Sequence, residues 1–180
     1  MKRSLVIIGG MAVAAAAVAM SSGLVSLSAS SAAVAKRQSG FLLLPPAAPA
    51  GQMTLYGHIK TMTRRGGHYL VGFDPAWFTS GITASRAKKQ DTGSGDVPND
   101  NYIVEEGNRV LTYILPLSAR VTVLANDGSG ISSVAIPVPE LARIVNGGPH
   151  RKLFEPLDSG VWIRVRIDTV KELDQQYGHR

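Results

Sequence analysis

The chain has 180 residues, 44% of them apolar, 6% aromatic and 18% charged, with a net charge of +6 and no cysteine. That is room for one ordinary domain and not comfortably for two, and it excludes collagen-like, coiled-coil and disulfide-stapled classes. Without cysteine there is no thiol catalysis, CxxC redox chemistry, thiolate metal site or acylated lipoprotein cysteine, because each needs the sulfur itself.

The N-terminus has the three-part layout of a secretory signal peptide. Lys2 and Arg3 precede an apolar run from Leu5 to Met20, and a stretch rich in Ser and Ala follows. Ala33-Val34-Ala35 supplies the small side chains that signal peptidase needs, which predicts a signal peptide over residues 1–35. Ser28-Ala29-Ser30 and Ala48-Pro49-Ala50 are weaker cleavage sites. The alternative is an uncleaved single-span anchor, since residues 4–35 carry no charge and about 20 apolar residues cross a bilayer; the serines from Ser21 onward favour cleavage. Without Lys2 and Arg3, 17 basic side chains stand against 13 acidic ones, a mild excess that suits anionic surroundings. Export without disulfides points to a bacterial protein, secreted or held in the cell envelope. Residues 36–52, rich in Pro and Ala around the apolar patch Phe41 to Leu44, read as a flexible tether.

From residue 53 to 180, short apolar runs alternate with Gly, Pro, Asn and Asp at the spacing of an all-β domain. Residues 54–63 and 68–73 are predicted to form a hairpin. Leu55 and Ile59 share one face and Tyr69, Val71 and Phe73 another, so odd positions should pair with odd ones, which calls for a three-residue loop. Asp74 ahead of Pro75 reads as a cap for a helical turn over 75–79, and residues 83–89 as a second short helix. Residues 102–106 and 109–115 are predicted to form another hairpin around Gly107-Asn108, setting Tyr102 and Val104 beside Leu111 and Tyr113. Strands are expected over 121–125 and 131–136, and a helix over 139–145 that stops at Asn146-Gly147-Gly148-Pro149. Val161, Ile163, Val165 and Ile167 alternate with Trp162, Arg164 and Arg166, the cleanest strand pattern in the chain. At the end, Thr169 and Glu172 have capping-box spacing and Val170, Leu173 and Tyr177 would line a helix, but a closing strand fits as well.

The segments Phe73-Asp74-Pro75-Ala76-Trp77-Phe78, Asp96-Val97-Pro98-Asn99-Asp100-Asn101-Tyr102, Leu111-Thr112-Tyr113, Val121-Thr122-Val123-Leu124 and Asp174-Gln175-Gln176-Tyr177 resemble a group of exported actinobacterial proteins, over roughly residues 53–177. The resemblance implies an exported location and no particular chemistry. Val138 departs from it, standing where a capping Thr or Ser is expected ahead of Pro139-Glu140.

The chemistry-bearing residues are few. Asp91, Asp96, Asp100, Glu105 and Glu106 make an acidic stretch, and Asp96, Asp100 and Glu105 are the candidate ligands of a calcium site. The spacing fails the EF-hand pattern, and an Asx-rich loop bonding its own backbone is the simpler reading, so no metal is expected. His58 and His68 are the histidines that the first hairpin would bring near each other, without a third ligand. There is no GxSxG, phosphate loop or dinucleotide fingerprint, and no cofactor is expected. Trp162, Arg164 and Arg166 share the outward face of their strand, where an indole and two guanidiniums suit an anionic envelope polymer or a glycan; ordinary cross-strand charge pairing is the competing account.

The expectation is therefore a mainly β domain, a small antiparallel barrel or sandwich of OB-type size with one or two short helices. Its expected function is that of a non-catalytic envelope or extracellular binding module. The alternative is an exported hydrolase, possibly a glycoside hydrolase, using loop carboxylates such as Asp96 and Glu105. Nucleic acid is not expected as a partner, and the membrane only through an uncleaved signal segment.

Overall fold

The computed structural model describes residues 45, 47–107, 109–126, 128 and 130–178, all within one compact unit. The predicted signal peptide, most of the tether, and Asn108, Asp127 and Ser129 of the predicted turns lie outside them.

The organising element is a long hairpin of β1 (Met53–Arg65) and β2 (His68–Ser80). Its loop has two residues, Gly66 and Gly67, not three: Arg65 pairs with His68, and Gly66 takes a φ of +56° that a tight hairpin turn demands. The expected odd-to-odd pairing is met further along, at Ile59 with Phe73, because the register shifts between Ile59 and Thr61. Lys60 is the extra residue of a β-bulge, so Leu55 and Ile59 but then Met62 turn toward the core. The bulge does what the longer loop was expected to do.

β2 is longer than predicted, and the helical turn over 75–79 does not form. Ala76 to Ser80 pair instead with β3 (Asn101–Glu105), and Asp74 and Pro75 pair with β1. Cross-strand pairs such as Trp77 with Val104 and Phe78 with Ile103 outweigh a local cap signal. The predicted second hairpin is also corrected: β4 (Leu111–Pro116) pairs with His68 to Phe73 of β2, not with β3. One thirteen-residue strand offers an edge long enough for both partners end to end. Pro75, which has no N–H, falls in the gap between them.

Chain order continues with β5 (Arg120–Asn126), β6 (Ile131–Ile136), β7 (Val161–Arg166) and β8 (Thr169–Gln175). The closing segment is a strand, as its second reading had it. Register shifts against Arg164 and Val165, so Lys171 is an extra residue and Val170 and Leu173 both face inward. A bulged strand thereby mimics the i, i+3 spacing of a helix.

β1, β2, β4, β8 and β7 close a five-stranded barrel, with β4 meeting β8 in parallel at Ile114 and Thr169. β3 extends the edge of β2, and the β5–β6 hairpin continues from β8 through a parallel pairing of Arg120 to Thr122 with Glu172 to Asp174. Helix α1 (Gly81–Thr92) covers and lengthens the predicted 83–89 helix, and packs on β2 and β3 through the fully buried Ala84. Helix α2 (Val138–Val145) starts after Pro137 without a side-chain cap, as the missing Thr or Ser implied. Its Val138, Leu141 and Ala142 join Val71, Phe73, Leu115, Val161, Ile163, Val165 and Leu173 in a single core. The mainly β architecture, the barrel and the short helices match the sequence reading.

Candidate functional site: a groove beside the bulged strand

Between α2 and β7 the chain runs through residues 150–158, closes with a 3₁₀ turn at Leu157–Ser159, and lies against β1. A groove of about 780 Å³ opens there, within the size range of small-molecule sites. Ile59, Ile144, Val145, Leu153 and Leu157 line it and also pack on the core, so its floor is an uncovered flank of that core. Phe154, 38% exposed, stands at its wall. The polar lining comes from His58, Lys60, Glu105, His150, Lys152, Glu155 and Asp158.

Several of these groups have partners in the protein. His58 Nε2 lies 3.1 Å from a Glu105 carboxylate oxygen, the imidazole shielded and the carboxylate mostly exposed. Lys60, on the bulge, places its ammonium 3.0 Å from Asp74, a buried carboxylate whose Oδ1 has no hydrogen-bond partner. The Gly178 N–H donates to Glu155 at 2.8 Å. Behind the groove, the Tyr56 hydroxyl donates to the Ser159 carbonyl at 2.6 Å. Burial, with the charges of Glu105 and Glu155, pushes that phenol well above the usual tyrosine range. Gly160 permits the contact, since its φ of +94° suits glycine and a Cβ there would overlap the Tyr56 ring. Arg151 anchors the segment through a 2.7 Å bond from Nε to Glu140 of α2, and this bond holds the Glu140 carboxyl below the usual glutamate range.

The residues singled out in the sequence are distributed differently. Trp162, opposite Tyr56 on β1, joins Tyr56 and Phe78 in a cluster with ring centroids 5.0 to 5.4 Å apart, and its Nε1–H donates to Gln176. Arg164 binds Glu172 at 2.7 Å and is only 13% exposed in its side chain; Arg120 holds the same carboxylate at 3.2 Å. Arg166 is exposed. The three share a face as predicted, but Trp162 and Arg164 turn their polar groups to partners inside the protein. Asp96, Asp100 and Glu105 are not brought together. The Asp96 carbonyl receives the Lys88 ammonium, Asp100 sits in a turn at φ +54° beside α1, and Glu105 faces the groove. Among the described residues no three His, Cys, Asp or Glu side chains form a group able to hold a metal ion. His68 sits at the turn of the hairpin opposite Arg65 and His58 in mid-strand opposite Asp74, so the two are not near each other.

The sequence reading missed the groove because its walls come from segments about 90 residues apart. The usable signal was local: His150, Lys152, Glu155 and Asp158 crowd one loop that interrupts two regular elements. The chain matches no protein-family model, no curated protein and no solved structure.

Proposed function

We propose that this chain is a non-catalytic binding module, exported to the envelope or the extracellular space, and that its ligand seat is the groove beside β1. The N-terminal pattern of Lys2-Arg3, apolar run and Ala33-Val34-Ala35 supports export. The observation that carries the binding reading is the pairing within the groove. An apolar floor is open to solvent, His58 pairs with Glu105 and Lys60 with Asp74 beside it, and no serine or threonine is among the lining residues. That arrangement holds an apolar body and offers no activated hydroxyl nucleophile. Of Asp96 and Glu105, the example pair for the hydrolase alternative, Glu105 lines the groove and Asp96 does not. Decanol, an uncharged single-chain amphiphile, is the probe that tests the seat. Calorimetric titration of the full chain should show saturable binding that Phe154→Ser weakens by about fivefold, the loss of most of one aromatic contact. Absence of saturable binding, or binding indifferent to Phe154, overturns the reading.

A further inference from the structure

The groove gathers carboxylates on a chain that is basic overall. The protein carries +6 overall, yet the lining holds three carboxylates, Glu105, Glu155 and Asp158, against two ammonium groups, Lys60 and Lys152. Of those two, Lys60 is neutralised by Asp74 at 3.0 Å. Lys152 is exposed, as are Glu105 and Asp158, and water and salt screen all three. His58 Nε2 lies at Glu105, and the exposed His150 has its Nδ1 at the Arg151 carbonyl. Glu105 comes from β3 and Glu155 from the 150–158 loop, and both line the groove. Two carboxylates from separate elements thus flank a single apolar trough.

We infer that the groove selects an amphiphilic organic cation: an apolar body on Ile59, Val145, Leu153 and Phe154, with an ammonium-type head between Glu105 and Glu155. This deepens the binding reading above and rests on it. An anionic head would meet the like charge of Glu105 and Glu155, and a neutral head would gain nothing from it.

Three probes with the same tail test it: decylamine, decanol and decanoate, each titrated calorimetrically into the full chain at neutral pH. Decylamine should bind about tenfold more tightly than decanoate, with decanol between them. Glu105→Gln combined with Glu155→Gln keeps both hydrogen-bonding shapes, and should remove the advantage of the amine over decanol. Equal or tighter binding of decanoate, or an amine advantage that survives the double substitution, overturns the inference. Decanol that still binds in a Phe154-dependent way would in that case leave the groove reading standing, whereas loss of decanol binding defeats both.

Discussion

The two sides of β1 are built on opposite principles. Toward β7, the ladder runs unbroken from Met53–Val165 to Gly57–Val161, inward residues are buried, and the outer face is stitched by Arg164, Glu172, Arg120 and Asp174. Toward the groove, β1 carries a bulge, its neighbour is an irregular loop, and core residues such as Ile59 and Leu153 remain partly exposed. Regular alternation lets Arg120 and Arg164 find Glu172 within the sheet. The bulge and loop leave apolar surface open to solvent, and the proposed ligand seat lies there.

This contrast is broken most directly by truncating one residue from each side. Ile163→Ala, deep in the regular wall, should cost about 3 kcal/mol in chemical denaturation. Leu153→Ala at the groove should cost about 1 kcal/mol, because part of that side chain is in water already. Equal losses would deny that the two sides differ. Tyr56→Phe comes next, at about 1 kcal/mol for the lost bond to the Ser159 carbonyl. The raised phenol pKa fixes its pH signature. Above about pH 10 the unfolded chain ionises while the folded one resists, so wild-type stability should fall as pH rises through that range, and Tyr56→Phe should flatten the fall.

The Glu140–Arg151 bond, which ties the loop to α2, gives a smaller effect with the opposite sign. Its lowered carboxyl pKa contributes stability above the ordinary glutamate range, and that contribution is lost as pH falls through the folded value. Glu140→Gln should therefore flatten the acid side of a stability profile. Smallest of all is Arg166→Ser on the outer strand face, expected within about 0.5 kcal/mol. If the basic surface also holds the protein on an anionic envelope polymer, retention on isolated cell walls should fall with rising salt and fall slightly further in this variant. Retention insensitive to both would confine binding to the groove.

Legibility in the sequence followed the same division. β7 was readable because Val161, Ile163 and Val165 alternate without interruption, and β5 and β6 because turn residues bound them. Where one extra residue enters a strand, at Lys60 or Lys171, period-2 parity flips and the pattern suggests another loop length or a helix. The pairing of β3 and β4 with one strand was hidden for a different reason: a cap at Asp74 and a turn at Gly107 are local signals, and the length of the β2 edge is not. His58 and Glu105 looked like unrelated surface residues, since only the register of β1, β2 and β3 brings them to 3.1 Å.

The central claim is that the groove, and not the Trp162 face, seats the ligand, and amide chemical-shift mapping with decylamine tests it most directly. The account predicts saturable shifts concentrated at residues 58–60, 105, 144–145 and 150–158, with residues 162–166 unmoved. Shifts centred on Trp162, Arg164 and Arg166, with the groove residues silent, would contradict it.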